Sequence, residues 1–373
     1  MYRHGIDSGS VYAPLLRGKR LGLITNPTGL TSDFTPTIDL LHRDYRLTRL
    51  FAPEHGVRGD RQAGVPVADT VDDVTGVPVQ TMFGANAAMD LTDIDAVVYD
   101  IQDIGLRFYT YIYVLADAMR CCAAGHVPLI VMDRADPLGP DTVRGTVLDA
   151  RFSSGVGNYG LPTRYGLTVG EYARYLNGEY KLGCDLTVIP CEGLTRGMQF
   201  PDLGLPWVQQ SPNMPTYETA LAYEGTCLIE GTNVSEGRGT TKPFEMIGAP
   251  WLDNGALVRR MQSHGFRGVY FRTVFFEPVF GKYAGSLCRG IQLHVTEPQT
   301  FDGFSVGVAL IRELRSLHTD EFAFPGKDGR YFFDLLFGND LLRRDLYDDG
   351  AERVERERLA RFCETAEKYR IYS

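Results

Sequence analysis

Glu54 stands between Pro53 and His55, and Gly56 follows. Proline fixes the backbone entering this tetrapeptide, and glycine permits a tight turn or a close backbone approach on leaving it. A carboxylate held this way beside an imidazole suits general acid or base chemistry. A second cluster, Glu230-Gly231-Thr232-Asn233-Val234-Ser235-Glu236-Gly237-Arg238-Gly239-Thr240-Thr241, combines three glycines, two carboxylates and an arginine after what reads as a short apolar strand. It reads either as an ordinary Gly-rich turn or as a loop closing over a polar ligand at a domain junction.

The elements that must position these residues are legible from periodicity. Residues 21–25, 47–51, 77–83, 96–100 and 127–133 are short, nearly continuous apolar runs, and helical stretches at 37–44 and 111–124 lie among them. Such runs indicate a parallel sheet covered on both faces, and right-handed crossovers give a Rossmann-like, doubly wound α/β layout. Thr168 and Glu171 form a capping-box pattern that predicts a helix over 168–180. Beyond about residue 244, helices at 252–263 and 306–317 and strands at 268–276 and 290–295 lose the strict alternation, which predicts a smaller α+β domain. The expected division is 1–230 and 231–373, with the cleft at the junction.

Polar residues fall at the ends of the predicted strands. The first ends at Asn26, the second at Glu54 and His55, the fourth at Asp100, Gln102 and Asp103, and the fifth at Asp133 and Arg134. In an open parallel sheet the carboxyl edge is where ligands bind, so these segments are expected to converge on one crevice. A strand-terminal aspartate such as Asp133 is also what a helix N-cap requires. Aromatic side chains near these carboxylates, Tyr109, Tyr111, Tyr159, Tyr165 and Trp207, suit a sugar ring. Phe108 reads as a core residue at a helix start.

Bulk properties exclude several classes. The 373 residues carry a formal charge of -9, with 44% hydrophobic and 23% charged residues. No basic stripe for nucleic acid is present, and no apolar run is long enough for membrane insertion. The charged stretch 343–361 reads as a solvated helix face. Seven cysteines lack zinc-site spacing and read mostly as buried free thiols. With no signal-peptide core at residues 1–5, the chain reads as cytoplasmic unless an export signal has been trimmed. Walker A, G-x-G-x-x-G, G-x-S-x-G and H-E-x-x-H motifs are missing, and no cofactor is expected. A metal site from His55, Asp100 and Asp103 is the competing hydrolytic reading. A non-catalytic binding protein whose two domains act as a clamp is another.

Longer motifs then carry a resemblance. Phe51-Ala52-Pro53-Glu54-His55-Gly56-Val57-Arg58-Gly59 resembles F-x-P-E-H-G-F-R-G, and residues 99–111 resemble D-I-Q-D-V-G-x-R-F-Y-T-Y. Ser211-Pro212-Asn213-Met214-Pro215 and residues 231–241 also match, while residues 133–139 resemble D-R-P-N-P-L-G with Ala135 and Asp136 as departures. In order from about residue 22 to 251, these resemble the NamZ-type exo-β-N-acetylmuramidases. The resemblance implies a glycoside hydrolase that releases terminal β-linked N-acetylmuramic acid from the non-reducing end of peptidoglycan fragments. It also implies a Rossmann-like domain with a smaller partner domain.

Glu54 matches the glutamate of the family's P-E-H-G and is the expected general acid, its pKa raised by partial burial. Asp100, Asp103 and Glu236 are candidates for the second carboxylate, unless the substrate's own N-acetyl carbonyl serves. Arg107, Arg164 and Arg238 are candidate partners for the lactyl carboxylate of muramic acid. Asn26, His55, Arg58, Gln102, Tyr109, Asp133, Asn213 and Asn233 complete the expected substrate-binding set.

Overall fold

The strand AVVYD is buried along its whole length, and so is LIVM after it. In the computed structural model, which describes residues 1–59, 70–82 and 88–373, these two become the middle of a seven-stranded sheet. Its strands are β1 (Arg20–Thr25), β2 (Arg46–Ala52), β3 (Thr70–Val71), β4 (Pro78–Thr81), β5 (Ala96–Asp100), β6 (Leu129–Met132) and β9 (Leu186–Ile189), in the order β3-β4-β2-β1-β5-β6-β9. All pairs are parallel except the edge pair β3–β4. The chain winds outward from β1 to β2 and β4, then from β5 to β6 and β9, so the order reverses between β1 and β5. The predicted strand 77–83 is observed at Pro78–Thr81, and Phe83 lies outside the described residues.

Alternation along each strand sends side chains to two separate cores. Ala96, Val98, Ile130 and Met132 face α1 (Gly9–Leu16) and α2 (Thr37–Asp44). Val97, Tyr99, Leu129 and Val131 face α3 (Tyr111–Gly125) and α4 (Val169–Glu179). The Thr168 hydroxyl accepts from Glu171 N at 3.2 Å and the Glu171 carboxylate accepts from Thr168 N at 3.1 Å, which is the capping box that starts α4. A small antiparallel pair, β7 (Arg144–Val147) and β8 (Pro162–Arg164), lies between these elements.

The second core continues without a break into the rest of the chain. It takes in Leu221 of α5 (Tyr217–Thr226), Leu257 of α6 (Asn254–Ser263) and Leu310 of α7 (Gly303–Leu317). Phe333 of α8 (Phe332–Phe337) and Phe362 of α9 (Asp349–Ala366) join it too. The C-terminal part carries an antiparallel sheet of β10 (Met246–Ala249), β12 (Cys288–Val295) and β11 (Val269–Phe276), in that order. A short hairpin, β13 (Gly326–Lys327) with β14 (Arg330–Tyr331), precedes α8. Helices α5 and α7 touch backbone to backbone: a Cβ on Gly225 would sit 1.9 Å from the Gly303 carbonyl oxygen. α5 is buried at every residue except Glu218, and the short strand expected before Glu230 is instead this helix and the 3-10 turn Cys227–Gly231 that follows it. No helix among the described residues is long and apolar enough to cross a membrane.

Candidate active site

Where β2 ends, the chain makes a sharp turn. His55 has φ +75° and Gly56 φ +80°, and Gly56 N donates to the Pro53 carbonyl at 3.2 Å. A non-glycine residue in the left-handed region costs about 1–3 kcal/mol and concentrates at functional sites. Here it turns the half-buried Glu54 and the buried His55 into a cleft with an empty volume of about 640 Å³. Phe108, Tyr109, Thr110 and Tyr111, at the start of α3, form one wall, and Ser211 and Asn213 form another. Tyr223, Glu230, Arg238, Phe332 and Leu336 close it from the C-terminal half. That mixture of aromatic, amide and charged groups fits a site for a polar ligand with apolar faces.

Glu230 and Arg238 line the cleft together, and Arg238 is shared with a second carboxylate behind it. Arg238 Nη2 donates to Glu230 Oε2 at 3.1 Å, and Arg238 Nε lies 3.5 Å from Glu236 Oε1. The guanidinium also lies over the Phe244 ring, 5.0 Å from its centroid. Burial holds the Glu230 carboxyl above the usual carboxylate range; Arg238 opposes this and Glu236 reinforces it. The loop needs glycine at two places: Gly237 and Gly239 have φ +81° and +83°, and a Cβ would sit 2.4 Å from the Met246 or the Phe280 carbonyl oxygen. Tyr109 Oη is buried beside Ser211 at the cleft.

Of the residues singled out in the sequence, the cleft brings together Glu54, His55, Tyr109, Asn213 and Arg238. Glu236 stands behind Arg238, 4% exposed. Several others are corrected by their packing. Asp100 is fully buried and takes both Arg134 Nε at 2.6 Å and the Thr37 hydroxyl, so its carboxylate is committed inside the fold. That also breaks the conceived His55, Asp100 and Asp103 metal set, and no such cluster occurs among the described residues. Asp103 is buried beneath the cleft wall, accepting from Tyr165 Oη and from Gly105 N at 2.7 Å. Asp133 accepts from Gly170 N at 2.7 Å and from Thr168 Oγ1 at 2.9 Å, so it serves the first turn of α4.

The remaining corrections concern cations and amides. Arg107 is fully buried and donates to the carbonyls of Thr146 (2.6 Å), Leu161 (2.9 Å) and Leu336 (2.8 Å). Arg164 donates to the carbonyls of Leu138 and Gly139. Arg58 pairs with Asp72 at 2.5 Å and Asp39 at 2.9 Å on an outer flank. Asn233 ties the 321–323 segment, donating to Glu321 O and accepting from Ala323 N. Asn26 accepts from Thr28 N at 2.9 Å and also hydrogen-bonds the cleft residue Tyr111, so it stays beside the cleft, whereas Gln102 donates to the Asp103 and Ala135 carbonyls. Gln102 lines a separate small pocket with Arg134. Tyr159, Tyr165 and Trp207 pack elsewhere, on Tyr180, Tyr172 and Phe200. Phe108, read as core, is buried in the second core and also borders the cleft.

Burial lifts the Asp103 carboxyl to about 7 from an ordinary value of 3.8. Between those values the folded chain holds a proton that the unfolded chain has released. The group therefore lowers stability as pH rises through that window, and the loss is complete above about pH 7. Asp103→Asn is expected to gain on the wild type by about 1–3 kcal/mol between pH 5 and pH 8. Urea unfolding at the two pH values measures this, and a difference that does not change with pH refutes it.

Comparison with known proteins follows this geometry. The model "Exo-beta-N-acetylmuramidase NamZ, N-terminal" matches residues 21–218, and its C-terminal counterpart matches residues 221–372. The chain belongs to this family. It is 42% identical over 372 residues to the peptidoglycan β-N-acetylmuramidase NamZ of Bacillus subtilis (strain 168), covering 97% of this chain and 89% of that protein. Two crystal structures of DUF1343 family proteins from Bacteroides fragilis NCTC 9343 are also similar. One superposes with a TM-score of 0.92 at 32% identity, the other with 0.78 at 27%, each over 100% of this chain and 99% of that one. The two NamZ models meet within α5, the helix whose flank contributes Tyr223 to the cleft. Sequence reasoning missed Tyr223 and Lys282 entirely. Glu230 lay inside a quoted motif, and only its packing against Arg238 singles it out.

Proposed function

We propose that this protein is an exo-acting glycosidase that releases a terminal β-linked N-acetylmuramic acid from the non-reducing end of peptidoglycan fragments. The observation that carries this reading is that Glu54 and Glu230 line the same aromatic-walled cleft, in a chain of the muramidase family. Glycosidic cleavage needs a proton on the leaving oxygen and a second group to stabilise the oxocarbenium-like centre or to direct water at it. Glu54 delivers the proton. Glu230, held by Arg238, faces the anomeric side. The C1–O bond breaks, the aglycone leaves with the proton, and water supplies the new hydroxyl at C1. Tyr109 and Tyr111 give the ring faces to rest on, and Asn213 hydrogen-bonds its substituents.

Of the three arginines expected to bind the lactyl carboxylate, Arg238 alone reaches the cleft. Two protein carboxylates already share it. The first turn of α3, where Thr110 and Tyr111 line the cleft, adds the positive end of a helix dipole for the same anion.

A chromogenic β-N-acetylmuramide and the matching β-N-acetylglucosaminide test the assignment. Release from the muramide alone, undiminished by a chelator, is the expected result. Equal turnover of both sugars overturns the specificity. Binding without turnover favours the wall-fragment clamp, and loss of activity with chelator favours a metal-dependent hydrolase.

A further inference from the structure

The connection between β11 and β12 reaches over the loop that carries Glu230 and Glu236 and places one lysine inside it. Lys282 Nζ donates to the carbonyls of Ile229 at 3.0 Å, Glu230 at 3.1 Å and Val234 at 2.9 Å. An ammonium has three N–H groups, so these bonds use all of them. The same nitrogen lies 3.0 Å from Glu236 Oε2, an oxygen that receives no hydrogen bond. That contact is therefore one of charge alone. Glu236 in turn meets Arg238, and Arg238 meets Glu230. A row of alternating sign runs from Lys282 through Glu236 and Arg238 to Glu230, and its inner end stands in the cleft.

Two further contacts make the arrangement stiff. Tyr283 Oη donates to the Asn233 carbonyl at 2.7 Å, and Val279 N donates to the Gly239 carbonyl at 2.9 Å. The connection thus grips the loop on both sides of Glu236. Without the lysine, Glu236 would keep its place beside Arg238 with nothing to balance it. It would then compete with Glu230 for the guanidinium.

Resting on the muramidase reading above, we propose that Lys282 is a positioning residue of this reaction. It clamps the backbone on both sides of Glu230 and balances Glu236, so that Arg238 stays with Glu230. The charged and titratable groups around Glu230 come from every side. Arg238 and Glu236 lie on its own loop, Cys227 on the preceding turn, Tyr223 on α5, Lys282 on the β11–β12 connection, and Glu54 and His55 elsewhere on the cleft lining. Burial keeps Cys227 and Tyr223 neutral at working pH. Lys282 lowers the proton affinity of Glu230, and Glu236 raises it.

The test uses Lys282→Met, Lys282→Arg, Glu236→Gln and the Met/Gln double variant, with kcat/KM for the muramide measured across pH. Lys282→Met is expected to lose about ten- to a hundredfold in kcat/KM. The acidic limb of its profile, set by ionisation of Glu230, moves to higher pH by roughly half a unit or more. Glu236→Gln moves that limb the other way, and the double variant returns it toward the wild type. Lys282→Arg keeps the charge without the three-carbonyl geometry and is expected to hold the limb while losing rate.

Titration of the Glu230 carboxyl by carbon-13 NMR, with Glu230→Gln identifying the resonance, gives the same comparison without turnover. A resonance that moves as described in a chain lacking muramidase activity leaves the lysine's role standing and removes the functional reading. An active enzyme whose limb and resonance stay fixed in every variant overturns the lysine's role and leaves a plain loop staple. Should Lys282→Met fail to fold, the direction of the Glu236→Gln shift decides alone.

Discussion

Glu54→Gln is expected to lower turnover of a chromogenic β-N-acetylmuramide by about two to four orders of magnitude. The amide keeps the size of the side chain and can accept a hydrogen bond, but it has no acidic proton to give. The turn that presents it is set by the backbone, with His55 and Gly56 both at positive φ, and the substitution leaves that intact. The loss should therefore fall on kcat, with thermal stability close to the wild type. An aglycone that is already a good leaving group needs less protonation, so activated aryl muramides should suffer least. A small change across all substrates would shift the proton donor elsewhere in the site, and Glu236 and Glu230 would then be tested in the same way.

Arg107→Met carries the largest expected effect on the fold. The guanidinium is buried, with no carboxylate against it, and it bonds to carbonyls on β7, on the segment before β8 and on α8. Burial draws its pKa down to about 10, so the cation is tolerated only because those carbonyls surround it. Methionine fills much of the volume and satisfies none of the three acceptors. The expected loss is about 3–5 kcal/mol, the range for breaking a buried charged network. For a chain of this size that is a fall of about 4–6 °C in Tm. Calorimetry and urea unfolding measure it, and a Tm within a degree or two of the wild type would show that the arginine is dispensable.

Arg107 also marks the limit of what sequence reasoning could see. Its motif, with aspartates, an arginine and tyrosines after a strand, has the composition of a site. An arginine that recognises a carboxylate and one that satisfies buried carbonyls look alike in sequence. The same ambiguity misplaced Asp100, whose partner Arg134 lies just past the end of β6, 34 residues away. Strands were legible because full burial imposes continuous apolar runs, and α4 was legible because its capping box is local. Helix α5 was missed because it is buried at every residue except Glu218 and shows no stripe. Glu54 could be singled out because proline and glycine bracket it. Lys282 could not, because its meaning lies in three carbonyls about 50 residues upstream.

The unbroken core from the parallel sheet to α8, with Arg107 bridging the two parts, has a consequence for how ligands are received. The halves share one interior, so they are not lobes free to swing about a hinge. The cleft stands ready before the saccharide arrives, and little ordering of the polypeptide accompanies its entry. Swinging of one half against the other then does not gate catalysis. The heat-capacity change of association should then reflect the sugar surface removed from water, with no added contribution from folding of the protein around it.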